Sequence, residues 1–361
     1  MRKRTPALFT FFWKLAISLA SFCHGQIKTA NNKDIGVSEM DVFIRKQMDS
    51  LRIPGASIAI ITEGKIVYER SFGYANTSTQ KKVDSSTIFE AASMSKPVFG
   101  YFLLKMMQDG VIKIDLDQPV YQYCPYTDIA YDERYKLITA RMLLAHTSGL
   151  PNQRQNDTLA IQFTPGTKYA YSGEGYEYLK KAVEALTHTN SNGLDSLVQK
   201  EVAVPLGMKH FSYIANTYLT NQKAYGYFST PNENNGKFKP IPTQFGASYS
   251  LHTNTNDYAK FLIDLMNNNQ LNKASVDSLL KPGVRLVRDG KPTGMYYGFG
   301  FGMDSTEYGV RYQHTGNNGN FTGGFMFFRD KKSGVVVFTN GDNGVHLYLK
   351  LADLITYGNR Q

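Results

Sequence analysis

Phe89-Glu90-Ala91-Ala92-Ser93-Met94-Ser95-Lys96-Pro97 leads into the apolar run Val98 to Met107, which Asp109-Gly110 closes. The run predicts a buried helix. Gly110 suits the left-handed residue that ends one, and Pro97 fits the first turn, where a missing N–H costs nothing. Residues three apart share a helix face, so Ser93 and Lys96 are expected side by side at the helix start. There the helix field favours a serine alkoxide and disfavours a charged lysine, and partial burial helps the amine shed its proton. Spacing alone does not select this pair, because Ser-x-x-Lys occurs three times, at Ser78–Lys81, Ser93–Lys96 and Ser278–Lys281. Ser78 lies in a polar loop, and Ser278 ends a helical window just before Pro282. Only Ser93 stands between an apolar entry (Ile88, Phe89, Ala91, Ala92) and a buried helix.

Two further pieces follow in order, Tyr171-Ser172-Gly173 and His314-Thr315-Gly316. A nucleophilic serine needs a base, a proton path and a site for the developing oxyanion. Together the three pieces read as a serine hydrolase working through an acyl-enzyme, with Lys and Tyr where His and Asp serve elsewhere. A Gly-x-Ser-x-Gly elbow is absent, which counts against an α/β-hydrolase.

Outward from Ser93, residues 38–50 have helical spacing, with Ser38 as N-cap. Residues 56–61 and 66–72 read as a hairpin around Thr62-Glu63-Gly64-Lys65. Residues 115 to about 290 hold helical windows at Leu137–Leu144, Glu174–Thr187, Leu194–Val202 and Asp257–Met266, and an exposed loop at Asn232–Lys239. Strands are expected again at 297–303, 308–313, 322–328 and 334–339, then a helix over about 344–357. Gly298, Gly300 and Gly302 alternate and are expected on one strand face, against a helix; a nucleotide-binding glycine turn is not formed. The expected class is α/β (α+β): a mixed, mainly antiparallel sheet from about 50–75 and 295–340, flanked by helices, with a mainly helical lobe over about 110–290.

With 42% hydrophobic and 13% aromatic residues the chain can bury a sizeable core. Arg2, Lys3 and Arg4, the apolar run Ala7 to Phe22 and small residues near Ser21 and Gly25 read as an export signal over 1–25. An uncleaved anchor and a lipoprotein signal at Cys23 are the alternatives. The run is short for a membrane span and carries Lys14, and Phe22 is large for the residue before a lipidated cysteine. The mature chain, 26–361, would be periplasmic or secreted with no stable membrane span, and Cys124 would be its only cysteine. Without Arg2, Lys3, Arg4 and Lys14 the chain keeps 36 basic against 30 acidic residues, scattered in pairs. That describes a solvated surface and not a nucleic-acid stripe. The histidines lack metal spacing such as His-Glu-x-x-His, and His146 reads as structural.

Phe89–Pro97 resembles the nucleophile segment of the serine β-lactamase and penicillin-binding-protein superfamily, in the class C β-lactamase and D-alanyl-D-alanine carboxypeptidase branch. Further matching segments are Ile138–Pro151 (with His146-Thr147-Ser148-Gly149), Thr164-Pro165-Gly166-Thr167 and Pro205-Leu206-Gly207-Met208. The resemblance spans about 38–357. It implies Ser93 as nucleophile, Lys96 as proton shuttle and Tyr171 as base or relay, with a phenol pKa lowered by Lys96. It implies an oxyanion hole at the N–H groups of Ser93 and Asn317, and a substrate edge at His314, Thr315 and Gly316. No metal or organic cofactor is implied.

Two places depart from the superfamily pattern. Gly173 stands where an Asn usually grips the substrate's acyl amide, so a compensating group, Glu174 or a loop, is needed. His314 stands where a Lys often meets a substrate carboxylate; some carboxypeptidases of the superfamily carry His there, so the resemblance keeps a carboxylate ligand open, more so when His314 is protonated. The expected substrate is small or peptidic, cell-wall derived: a D-alanyl peptide or D-amino-acid derivative. The alternatives are a carboxylesterase, and a sensor of wall fragments or β-lactams that acylates without turnover.

Overall fold

The computed structural model describes residues 26–156 and 158–358. The export signal expected over 1–25, with Cys23, lies outside the described residues. Among the described residues nine strands form the main sheet, every neighbour antiparallel. Their order is Lys81–Lys82, Lys65–Asn76, Gly55–Thr62, Ser333–Thr339, Thr322–Phe328, Gly309–Asn317, Gly302–Thr306, Lys291–Tyr297 and Val284–Arg288.

Two neighbouring inner strands come from opposite ends of the chain, Ala56 lying opposite Thr339 and Gly334 opposite Ile61. Both are buried along their whole length, which suits their Ile and Val content. Side chains alternate between faces. Ile58, Ile60, Val335 and Val337 pack with Met40 and Ile44 of helix Val37–Leu51 and Leu347 and Leu351 of helix Gly344–Tyr357. Ala59, Ile61, Val336 and Phe338 join the larger core with Val98 and Phe102 of helix Ser95–Gln108 and Tyr258 and Leu262 of helix Thr255–Asn267. The expected architecture, a mainly antiparallel sheet flanked by helices with a helical lobe, is found, except that the main sheet is not mixed: all its described neighbours are antiparallel.

Several local expectations change. Helix Val37–Leu51 starts at Gly36, so Ser38 lies within the first turn and caps nothing. The window 137–144 breaks into a 3₁₀ turn, Glu133–Leu137, and a helix Ala140–Leu144 that begins where the Thr139 side chain accepts from the Met142 N–H. The strand expected at 297–303 is two strands, with Gly298 and Gly300 in the turn between them. The expected close approach to a helix is present, because a Cβ on Gly300 would meet Pro97. The helical lobe ends earlier than 290: Val284–Arg288 and Lys291–Tyr297 form a hairpin that lengthens the sheet. Its turn, Asp289-Gly290, has φ of 51° and 73°, the left-handed pair that a tight hairpin turn needs. A short second sheet pairs Phe89–Glu90 with His252–Thr253 and that in turn with Phe211–Ser212, and so fixes the approach to Ser93. No helix among the described residues is long and apolar enough to cross a membrane.

Candidate active site

Ser93 sits in the turn Ala92–Met94 that runs directly into helix Ser95–Gln108. Ala92 adopts φ 49°, a left-handed conformation that costs an alanine roughly 1 kcal/mol. The surroundings hold it there. Ser95 Oγ donates to the Ala92 carbonyl at 2.6 Å and accepts from the Leu251 N–H at 3.0 Å. The Tyr258 and Tyr213 hydroxyls donate to the carbonyls of Met94 and Ser95 at 2.9 and 2.8 Å. Strain fixed by so many bonds is typical of a functional turn.

Lys96 reaches back under this turn. Its Nζ lies 3.3 Å from Ser93 Oγ and donates to the Ser248 carbonyl at 2.9 Å. It also stands 4.7 Å from the centre of the Tyr171 ring. Lys96 is 2% exposed, and burial pulls its pKa down to about 7, while the Glu177 carboxylate acts in the opposite sense. Near pH 7 a substantial share of the amines is therefore neutral, against fewer than about one in a thousand for an ordinary lysine.

Tyr171 differs from expectation. Burial raises its phenol pKa far above the ordinary value, the contact with Ser93 opposing this, and Lys96 does not lower it. The hydroxyl is buried without a hydrogen bond of regular geometry. Its ring packs on His146, centroids 4.4 Å apart. His146 is itself buried; its Nδ1 accepts from the Ser172 N–H at 3.1 Å, so a neutral ring carries its proton on Nε2.

The strand Gly309–Asn317 forms the opposite wall. His314 Nδ1 lies 2.6 Å from the Thr315 carbonyl and Nε2 lies 2.9 Å from the Tyr297 hydroxyl. The pattern fits a neutral ring donating through Nδ1 and accepting at Nε2. Burial, then Lys96, pushes the pKa of His314 down to about 3. The expected contact of a protonated His314 with a carboxylate is thus corrected. Gly316 lies against the Ser93 turn, where a Cβ would run into the Ala91 carbonyl. It lets the strand approach and does not face the cleft.

The cleft is a cavity of about 520 Å³. Ser93, Tyr171, His314, Thr315 and Asn317 line it, and so do Asn152, Tyr297, Gln313, Gly302, Leu286 and Met295. The last two come from the hairpin absent from the sequence reading. No Lys or Arg is among these lining residues.

Gly173 is the second correction. It does not line the cavity; Asn152 does, its Oδ1 accepting from the Gly173 N–H at 3.0 Å. A Cβ on Gly173 would stand 2.5 Å from the Asn152 carbonyl and 3.1 Å from its Oδ1. The loop has taken the space of the missing side chain, whereas Glu174 is paired with Arg154 at 3.2 Å. Gly173→Asn is therefore expected to destabilise the fold by about 1–3 kcal/mol, as overpacking does, and not to restore an amide grip. Urea unfolding of the variant checks this; unchanged stability would contradict it.

Three residues before Ser93, the buried Glu90 carboxylate pairs with Lys223 at 3.0 Å and Lys239 at 3.1 Å, and accepts from Asn318 Nδ2 at 2.8 Å. It joins the approach to Ser93 to the residue after Asn317. Burial alone would raise its pKa; Lys223, His252, Lys239 and Asn318 overcome this and hold it at about 2. The resulting stabilisation is complete above about pH 4.5 and is lost as pH falls toward 2. Glu90→Ala strands the Lys223 ammonium, whose side chain is 0% exposed, and is expected to cost about 3 kcal/mol or more at neutral pH. Denaturant unfolding reads this; a loss below about 1 kcal/mol would overturn it.

Among the described residues no cluster of His, Cys, Asp and Glu could hold a metal ion. The family model "Beta-lactamase" matches residues 40–358. The chain belongs to the Beta-lactamase family. It is similar to Protein flp of Staphylococcus aureus (strain MW2), 27% identical over 323 residues, a match covering 84% of this chain and 62% of that protein. The chain thus spans under two thirds of that relative's length. It is also similar to Penicillin-binding protein 4* of Bacillus subtilis (strain 168), 23% identical over 340 residues, covering 82% of this chain and 70% of that one. The octameric penicillin-binding protein homologue from Pyrococcus abyssi superposes with a TM-score of 0.75 at 21% identity, covering 89% of this chain and 77% of that one. At that identity the match speaks for the Beta-lactamase-family fold alone.

Asn152, Tyr297, Leu286, Met295, Glu90 and Ser248 were not marked by the sequence reading. Two signals were present: Asn152 directly follows the segment ending in Pro151, and Asp289-Gly290 is a hairpin dipeptide.

Proposed function

We propose that this chain is a serine hydrolase that cleaves an ester or amide through an acyl-Ser93 intermediate. The observation that carries the reading is the buried Lys96 amine, its pKa drawn down by burial, 3.3 Å from a serine hydroxyl facing a cavity. Lys96 takes the Ser93 proton as Oγ bonds to the acyl carbon. The carbonyl electrons move onto oxygen, where the N–H groups of Ser93 and Asn317 meet the oxyanion. Collapse breaks the bond to the leaving alcohol or amine, which recovers the proton from Lys96 with the Tyr171 hydroxyl as relay. Water then attacks acyl-Ser93 by the reverse proton path, releasing the acid.

The uncharged lining and the neutral His314 favour a substrate with no charge beside the scissile bond, and Leu286 and Met295 offer it apolar contact. A short acyl ester fits this description. A D-alanyl peptide, the second reading, is favoured by the similarity to a penicillin-binding protein, and its carboxylate would find neutral hydrogen-bond donors but no Lys or Arg among the lining residues. Relative kcat/KM for p-nitrophenyl butyrate and a D-alanyl-D-alanine peptide separates the two. Preference for the ester is expected. Preference for the peptide by tenfold or more would reverse the order, and no Ser93 adduct by intact mass with either the ester or a penicillin would sink both.

A further inference from the structure

We infer that Glu177 is a positioning residue for the Lys96 amine, acting through the backbone of Ser248; the inference rests on the acyl-Ser93 reading. Glu177 lies in helix Gly173–Thr187, directly after Tyr176. Its Oε1 accepts from the Ser248 N–H at 3.0 Å and from Ser248 Oγ at 2.8 Å. The carbonyl of that same residue accepts from Lys96 Nζ at 2.9 Å. The other Glu177 oxygen stands 3.5 Å from Lys180 Nζ, and Lys180 donates to the Phe245 carbonyl at 3.1 Å. Two side chains of one helix face therefore grip the irregular segment 245–248 that carries the carbonyl.

The grip matters because of what a neutral amine can offer. It has two N–H bonds and one lone pair, and a carbonyl can be met only by an N–H. Anchoring one N–H on Ser248 leaves the lone pair free to turn to Ser93 Oγ. A carbonyl that drifted would let the amine rotate, and a misoriented base loses rate without losing substrate affinity.

Glu177 also supplies charge. Lys96 is faced by Ser93 in the preceding turn, by the rings of Tyr171 and Tyr176, by His146 and His314, and by the Ser248 carbonyl. Burial keeps both histidines neutral. Glu177 is the carboxylate whose field reaches the amine, and it makes Lys96 a stronger base than burial alone would.

The two contributions separate by substitution. Glu177→Gln keeps an acceptor for Ser248 and removes the charge. Glu177→Ala removes both. With p-nitrophenyl acetate as probe, the acid limb of kcat/KM is expected to move to lower pH in Glu177→Gln by about half a unit or more. In Glu177→Ala, kcat is expected to fall about tenfold with KM within about twofold. Thermal unfolding shows whether each variant is folded, and if Glu177→Ala is not, the limb of Glu177→Gln decides alone. A limb that superposes on the parent's, with reaction still dependent on Ser93, overturns the role of Glu177. Reaction that survives Ser93→Ala overturns the acyl-Ser93 reading beneath it.

Discussion

Ser93→Ala should lower ester turnover by about 10³-fold or more while leaving the protein folded. On the acyl-Ser93 reading the hydroxyl is the attacking atom, so its removal would leave only the oxyanion site and binding to accelerate hydrolysis. Its structural share is small. Ser93 Oγ is held by Lys96, and Lys96 keeps the Ser248 carbonyl when the hydroxyl is gone. The turn is fixed by Ser95, Leu251, Tyr213 and Tyr258, so stability should change by less than about 1 kcal/mol. Steady-state turnover beside a thermal melt measures both. A folded Ser93→Ala variant with more than about a tenth of parental activity would remove Ser93 from the chemistry.

Lys96→Arg should be as damaging as Lys96→Met, each lowering kcat/KM by about 10³-fold. Arginine preserves positive charge but cannot release its proton near neutrality, so equal losses identify the group as a base. In the parent, kcat/KM should rise through pH 7 as the Lys96 amine becomes neutral; neither variant should retain that limb. Stability should move the other way. The folded pKa of about 7 lies below the 10.5 of an ordinary lysine, so the unfolded chain binds more protons between these values and the parent gains stability as pH rises through that window. Lys96→Met is relieved of this cost and should melt higher than the parent, by a larger margin near pH 6 than near pH 9. An Arg variant within tenfold of the parent, or a Met variant that melts lower at acid pH, would contradict the assignment.

How much of this could be read from the chain alone follows the range of each interaction. Ser93 and Lys96 are three residues apart, and local geometry puts them together. The central strands were legible because Ile58, Ile60, Val335 and Val337 belong to unbroken β-branched and apolar runs. The hairpin over 284–297 was missed because Arg285, Arg288, Lys291, Pro292 and Gly294 make it look like a loop. It protrudes at the sheet edge, where one core-facing stripe is not required. Asn152 and Glu177 lie far from Ser93 in sequence, and only the fold brings Asn152 to Gly173 and Glu177 to Ser248. The titration of Tyr171 and His314 was misjudged for one reason: composition does not reveal how deeply a ring is buried. Burial raises the Tyr171 phenol against the contact with Ser93, and lowers the His314 imidazole with Lys96 acting in the same sense.

The pairing of Gly55–Thr62 with Ser333–Thr339 also bears on when the cleft can form during synthesis. A ribosome delivers Ser93 and Lys96 early, but the strand bearing His314 to Asn317 emerges more than 200 residues later. Until then the inner strand near the N-terminus has an open, apolar edge, and the serine faces no opposite wall. Contacts this distant in sequence form slowly, and the waiting edge is a hazard for association with other chains. A nascent or C-terminally truncated chain thus carries Ser93 and Lys96 without the opposite wall of the cleft, and on the acyl-Ser93 reading reactivity would arrive only with the last strands.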